Sequence, residues 1–422
     1  MLSRLRVQTS GESHGRGMLA TITGLPAGLA LDAAAADATL ARRQGGFGRS
    51  SRQQLERDRI DVLAGLYRGR TSGAPLTLAV WNRDDSLASK PPVHRPRPGH
   101  GDLAGGQKYG TNDMRGVLER ASARETAARV AAGAVASQCL RALGIELLAH
   151  VVALGGVGAG ASPAAPLASG NLAGSARERR LLAALRQRRD RSPFYSLSPA
   201  ADARMRRAVL AARRAGDTLG GCFEVLALGV PPGLGSLQGW DSRLDSRLGA
   251  GLLSIPAIKA VEIGDGLEAA GSRGSAVHDA VGRPGPAGPT RRGNRAGGLE
   301  AGMSNGQPLV VRAFMKPLPT LARSLPSWDY AEGAPARGFF ERSDVTSVPA
   351  ASVVGEAMVA LVVLDALLEK TGGDSLEEVR RALAGQRRAV AQQFGRSARR
   401  RSRRSGSAGR GAGRRAARGK RG

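Results

Sequence analysis

The sequence predicts an α/β (α+β) fold built as two related halves packed around one core, and three features carry that expectation. Gly11, Gly15, Gly24 and Gly28 have counterparts at Gly216, Gly220, Gly229 and Gly233, every pair 205 residues apart. The adjoining segments, MLATITGLPAGL and FEVLALGVPPGL, share strand-like content and a proline-bearing turn. Each half also carries a late helix rich in alanine and valine, one opening near Ser122 and the other near Ala350. The competing reading is a coincidence between two glycine-rich hairpins.

In chain order, residues 4–9 and 18–23 read as short strands flanking GESHGRG, and Leu25-Pro26-Ala27-Gly28 turns the chain out of the second. Residues 31–43 have helical composition with Asp32 as a cap, and residues 45–54 form a flexible basic loop holding Arg49 and Arg52. Residues 60–67 and 75–81 suit two further strands. The segment 82–114 is irregular, contains several prolines and two of the five histidines, and is too long for mere connection. It is expected to line a site.

The stretch 99–143 is the centre of the organisation. Ser122 and Glu125 make an S-x-x-E capping pattern, after which Ala127, Val130, Ala131, Ala134 and Val135 recur at helical spacing up to a glycine stop at Gly144. Small side chains let another element approach closely, so this helix is expected at the core. Its first turn beside Arg120 and Arg124 suits an anionic ligand. An ordinary capped helix in contact with solvent fits equally well.

Residues 155–174, rich in Gly, Ala and Pro, read as a variable excursion, and 176–189 and 201–215 as helices. Residues 252–263 suggest a strand interrupted at Ile255-Pro256-Ala257, 283–298 a basic Gly/Pro loop, and 310–315 a strand delivering Lys316-Pro317-Leu318-Pro319-Thr320. Pro349 suits the first turn of a helix over 350–370, which Gly372 and Gly373 end before a shorter helix over 376–394. The domain reading is a single catalytic unit, 1–390, with an internal repeat of about 1–150 and 205–390. Residues 391–422 form a basic, disordered tail.

The formal charge is +28, of which 12 basic residues lie from Arg396 onward with no acidic residue, leaving +16 for the rest. Such a surface attracts anions. Both a nucleic-acid protein and an enzyme for a phosphate- and carboxylate-bearing substrate fit it. Against the first, the chain has only 14 aromatic residues (7 Phe, 4 Tyr, 3 Trp) and no recognised binding motif, so specific nucleic-acid binding is not expected. The two cysteines, Cys139 and Cys222, read as buried free thiols, and no Cys/His cluster has metal spacing. No apolar signal core opens the chain, and the longest apolar run, 358–364, is far below membrane length. The default is a cytoplasmic protein without a membrane.

Three titratable residues sit in polar or glycine-rich settings: His14 in GESHG, His100 in RPGHGD and Asp344 in ERSD. The histidines suit proton exchange near neutral pH; His94, His150 and His278 lack such surroundings. Arg43, Arg49, Arg120, Arg124 and Arg342 offer the donor fork that matches carboxylate and phosphate. Taken singly, each is as readily a solvated charge. There is no Walker motif and no dinucleotide fingerprint.

Taken together and in order, these motifs resemble the chorismate synthase family over roughly residues 1–390. The resemblance rests on GESHG (11–15), RPGHGD (97–102), QKYG (107–110), SARET (122–126), VEIGDG (261–266), NRAGG (294–298), GMSNG (302–306), KPLPT (316–320) and RSD (342–344). It implies a β-α-β sandwich of two pseudo-symmetric halves around a central helical layer, assembled as a homotetramer. It also implies conversion of 5-enolpyruvylshikimate 3-phosphate to chorismate and phosphate by a 1,4-elimination that requires reduced FMN without net redox change. NADPH enters only as an upstream reductant, through an external flavin reductase. By motif, His14 would protonate the leaving phosphate, His100 would protonate the reduced flavin at N1, and Asp344 would work with flavin N5 in removing the C6 proton. Arg43 and Arg49 match positions for substrate or reduced pyridine nucleotide. Arg120, Ala121, Ser122, Pro256, Ala257, Ala301, Lys316, Pro317, Leu318, Pro319, Thr320 and Arg342 match flavin-contacting positions, and no metal is implied. Two departures stand out: Ala121 replaces a frequent serine, and Ser343 a frequent histidine. A non-catalytic homologue and a basic nucleic-acid-binding protein are the alternatives.

Overall fold

The structure is a computed structural model that describes residues 2–49, 57–160, 162–163, 176–286, 288–341 and 344–395. The first glycine cluster frames an antiparallel pair, β1 (Arg6–Ser10) and β2 (Gly17–Thr23), in which β2 buries every second side chain. Helix α1 (Ala33–Gln44) follows, capped by the Asp32 carboxylate, which accepts from the Ala35 amide at 3.0 Å. With β3 (Asp61–Ala64) and β4 (Leu76–Trp81) the sheet has the order β1-β2-β4-β3. The strand expected over 60–67 breaks at Gly65, whose φ of +95° turns the chain away from the ladder.

Two helices stand inside or just beyond the segment read as irregular: α2 (Asp102–Tyr109) and α3 (Arg115–Ala121). Their glycines and charges hide any apolar stripe. The expected capping box at Ser122 does not form. Ser122 Oγ accepts from the Arg124 amide and opens a single 3-10 turn, Ala123–Glu125, while the Glu125 carboxylate is taken by Arg129 at 2.9 Å. The central helix, α4 (Thr126–Ala142), begins after that turn.

The second sheet starts with β5 (Glu146–Leu154). Helices α5 (Ala176–Arg191) and α6 (Pro199–Arg214) then precede β6 (Gly221–Leu228). Helix α7 (Leu244–Leu253), β7 (Ile258–Ile263), β8 (Leu309–Met315), α8 (Val348–Thr371) and α9 (Leu376–Phe394) complete the principal elements. Leu252 and Leu253 therefore close a helix instead of opening a strand. The loop read at 283–298 contains a hairpin, Val281–Gly285 with Gly288–Arg291. Because α9 runs to Phe394, residues 391–394 are helical, and the tail from 396 lies outside the described residues. So does most of the excursion at 155–174.

The second sheet has the order β7-β8-β6-β5, with the short strand Val157–Gly158 beyond β5. Its register copies the first. The offset of 205 takes Thr23, paired to Arg6, onto Leu228, paired to Glu146; it takes Gly17, opposite Trp81, onto Cys222, opposite Phe314. Gly24 and Gly229 both turn out of the central strand at positive φ, where a Cβ would strike the carbonyl oxygens of Arg4 and Gly144. Helices α5 and α6 lie between β5 and β6, the first two strands of the second sheet in chain order.

One continuous core joins both sheets through the helices. Helix α4 lies against β2 and β4, and α8 against β5 and β6. The two helices meet at Gly133, whose Cβ would come within 2.5 Å of Ala357 Cα. Helix α8 is apolar enough and, at 24 residues, long enough to cross a membrane, contrary to the short run noted in the sequence; 89% of its most apolar window is buried in this core. Cys139 and Cys222 are buried free thiols, each pushed up to about 12 by burial. Asp365, fully buried on α8, accepts the amides of Ser3, Arg4 and Leu5 at 2.7–3.0 Å and ties the first residues to the second half.

Candidate active site

His14 sits in the turn between β1 and β2, and the turn is held from three sides. Asn82 Nδ2 donates to the carbonyls of Glu12, Ser13 and Gly15 at 2.6–3.2 Å. The His14 carbonyl accepts from the Leu87 amide at 2.9 Å, and the Ser13 amide donates to the Glu119 carbonyl at 3.1 Å. His14 is 1% exposed, with Nδ1 2.7 Å from Glu119 Oε2 and Nε2 3.7 Å from Asp84 Oδ2. Burial pushes the Glu119 carboxyl up, but the His14 hydrogen bond and charge, with Arg115 behind, outweigh it and hold the group below the usual carboxylate range.

His100 belongs to a second histidine–carboxylate pair. Its Nδ1 lies 2.7 Å from Asp102 Oδ1 at the start of α2. Arg97 grips the same carboxylate through Nε and Nη2 at 2.8 and 2.9 Å and reaches the His100 ring at 3.0 Å. Burial works against the Asp102 charge, yet the bonds from Arg97 and His100 keep its carboxyl far below the ordinary value. Arg97 Nη1 also donates to Thr320 Oγ1 at 3.1 Å, and Lys316 Nζ to the Gly99 carbonyl, so a loop of the second half fixes the His100 loop of the first.

The cationic wall comes from the end of α1 and the start of α4. Arg43 donates to Thr126 Oγ1 at 3.0 Å, to Asp58 at 3.2 Å and to the Ala123 carbonyl at 3.2 Å. Burial first, then neighbouring Arg124 and Arg49, push its guanidinium down to about 10 against the pull of Asp58, so it stays charged at neutral pH. Arg124 takes the other Asp58 oxygen at 2.5 Å. Arg49 Nη1 lies 2.8 Å from Asp344 Oδ2 and donates to Ser347 Oγ at 2.9 Å, while its Nε is buried without a hydrogen-bond partner among the described residues. Ser347 in turn donates to Asp344 at 3.1 Å.

His14, His100, Asp344, Arg43 and Arg49 all line one open cleft of about 240 Å³. Ser122, Pro256, Leu318, Pro319 and Thr320 line it too. Ile255, Pro256, Met315, Leu318 and Pro319 give the cleft an apolar strip, opposed in character to the arginines. Other residues from the sequence reading lie outside this lining. Arg120 is exposed and donates to the Gly11 and Thr9 carbonyls. Ala121 follows it at the end of α3. Ala257, at φ +68°, accepts from the Lys316 amide; Lys316 is held by Gly99, and Pro317 is exposed. Ala301, at φ +49°, occupies the exposed turn between Leu299–Glu300 and Met303–Ser304. Arg342 and Ser343 lie outside the described residues.

Sequence reasoning missed the buried partners: Glu119, Asp102, Arg97 and Asp58. Asp102 and Arg97 stood in the same RPGHGD motif as His100, so the histidine–carboxylate spacing was a usable signal. Glu119, in VLERAS, offered none. His94, His150 and His278 do not line the cleft; His150 is paired with Glu224 at 3.0 Å on the outer face of the second sheet. Among the described residues no group of three His, Cys, Asp or Glu side chains is arranged for a metal ion.

The family model described as chorismate synthase matches residues 5–368. The chain is 48% identical over 400 residues to the chorismate synthase of Thermobifida fusca (strain YX), covering 90% of this chain and 98% of that one. It is 49% identical over 387 residues to that of Desulforudis audaxviator (strain MP104C), covering 89% and 95%. A solved structure titled "Crystal Structure of Chorismate Synthase" superposes with a TM-score of 0.75 at 38% identity, over 93% of this chain and all of that one.

Proposed function

The chain belongs to the chorismate synthase family, and from that premise we propose that its cleft carries out the family's 1,4-elimination, taking phosphate and the C6 proton from 5-enolpyruvylshikimate 3-phosphate to give chorismate. The observation that carries this reading is the convergence of His14, His100 and Asp344 with Arg43 and Arg49 on one cleft. Arginine forks suit the carboxylates and phosphate of such a substrate.

Reduced FMN is the cofactor the family implies, and the residues fit it. The apolar strip suits a flat ring system, and the buried Arg49 Nε, without a partner among the described residues, supplies a donor for a ligand acceptor atom. Pro256, Leu318, Pro319, Thr320 and Ser122 would hold it, with Ala257, Lys316, Arg120, Ala121, Pro317, Ala301 and Arg342 as the family's further contact positions. When bound, reduced flavin supplies electron density as the C–O bond to phosphate breaks.

The proton work falls to the chain. An ionised Glu119 can only accept, so His14 carries its fixed proton on Nδ1 and moves the other at Nε2, where it neutralises the departing phosphate oxygen. His100, held by Asp102 and Arg97, would keep a proton available toward flavin N1. Asp344, oriented by Arg49 and Ser347, is the carboxylate for the C6 proton. One C–H and one C–O bond break and one C=C bond forms, so no net oxidation is required. We also read the protein as a cytoplasmic homotetramer whose flavin is reduced by an external reductase, with NADPH upstream.

The test is an anaerobic assay with the phosphorylated substrate and pre-reduced FMN. Chorismate and phosphate are expected to appear together. Folded, flavin-bound protein that releases neither overturns the reading.

A further inference from the structure

We propose that Glu119 is the positioning residue of the proton donor: it selects the Nδ1–H form of His14 and sustains the charged imidazole from which the leaving phosphate is protonated. The inference rests on the reading of His14 given above. It stands on geometry. Glu119 is wholly buried at the end of α3, and its Oε2 accepts both the His14 backbone amide at 3.0 Å and Nδ1 at 2.7 Å. The ring and its own backbone are therefore gripped by one oxygen, which fixes the rotation of the side chain as well as its tautomer. Oε1 is committed to Arg115 at 3.3 Å, so the carboxylate cannot swing to another partner without breaking an ion pair. Arg115 is in turn bound to Glu341 of the second half at 3.1 Å and lies over the Phe339 ring.

The charges around His14 determine the sign of the effect. Glu119 at 2.7 Å and Asp84 at 3.7 Å favour the doubly protonated ring. Against it stand Arg115 behind Glu119 and the cleft arginines Arg43, Arg49, Arg97 and Arg124, with the His100 ring beside them, themselves countered by Asp58, Asp102, Glu341 and Asp344. Glu119 is the closest of these groups to His14 and is shielded from water, whereas Asp84 is 42% exposed. Removing the Glu119 charge while keeping an acceptor should therefore weaken the protonated form more than any other single neutralisation.

A general acid loses activity as pH rises through its titration. In wild type the rate of phosphate release from the substrate with pre-reduced FMN is expected to fall on an alkaline limb that His14→Asn abolishes. Glu119→Gln keeps an amide oxygen for Nδ1–H, and its limb should move to lower pH. Glu119→Asp keeps the charge and should move it less. A folded Glu119→Gln enzyme whose activity is reduced equally at every pH, with the limb in place, overturns the proposal while leaving His14 as the acid. A limb that survives in His14→Asn removes His14 from that role, and the proposal with it. A readout independent of any Glu119 variant is available because the chain has only five histidines. Nitrogen-15 spectra of labelled wild-type protein at alkaline pH should show His14, assigned by its loss in His14→Asn, as the Nδ1–H tautomer. The Nε2–H tautomer there would refute the proposal even if Glu119→Gln failed to fold.

Discussion

Gly133→Ala tests the helical layer on which the cleft depends. Ala357 Cα would lie 2.5 Å and the Ala357 carbonyl oxygen 2.7 Å from the new methyl, where ordinary contact needs 3.4–4 Å. Both obstacles are backbone, so no rotamer change relieves them, and α4 and α8 must part by about 1 Å. Overpacking of this kind costs about 1–3 kcal/mol, against a helix-propensity gain of at most about 1 kcal/mol. We expect a net loss of about 1 kcal/mol. The displacement also reaches the chemistry, because Thr126 at the start of α4 and Ala350, Ala351 and Val354 on α8 line the cleft. A misplacement of about 1 Å can cost about 100-fold in rate. Thermal unfolding followed by circular dichroism, with kcat from the anaerobic assay, measures both. Gly249→Ala on α7, where nothing lies within 4 Å of the added Cβ, is the control and should be neutral or slightly stabilising. A Gly133→Ala protein that melts and turns over like wild type would refute the close-contact argument.

Two further outcomes follow from buried charges. Asp58→Ala leaves the Arg43 and Arg124 guanidiniums without their shared carboxylate, and urea unfolding should show a loss of about 3–5 kcal/mol, with a raised KM as the α4 start loosens. Unchanged stability would mean that these arginines do not need Asp58. Burial works against the Glu356 charge, but Arg42 and Arg189 outweigh it and hold the carboxyl below the usual range. A group depressed in the folded state stabilises above its unfolded value and loses that contribution as pH falls, so stability should drop as pH is lowered from about 5. Glu356→Gln should flatten that acid slope, and an unaltered slope would count against it.

The division between what the sequence disclosed and what it hid has a physical basis. Glycines that turn at positive φ beside a neighbouring strand, as at Gly24 and Gly229, cannot be replaced cheaply, so the repeat shows in one dimension. The Ala- and Val-rich periodicity of α4 announced close helix packing for the same reason. By contrast, α2 and α3 are short and glycine- or charge-rich, and their helical form is fixed by contacts such as Asp102 with Arg97 that a linear pattern does not encode. At Ser122 a capping pattern was present but its glutamate had a better partner in Arg129. The motifs carried the groups that face the cleft. Glu119, facing His14 from a distant turn, and Asp58, shared by Arg43 and Arg124, look like any other surface acid until the chain is folded.

The grip of Asp365 on the amides of Ser3, Arg4 and Leu5 has a consequence for biosynthesis. Strand β1 depends for its anchorage on a carboxylate that leaves the ribosome some 360 residues after it. Its sheet can assemble early from local pairings, yet its leading edge stays untethered until α8 has been made. Vectorial synthesis and final closure of this protein therefore run in opposite directions along the polypeptide.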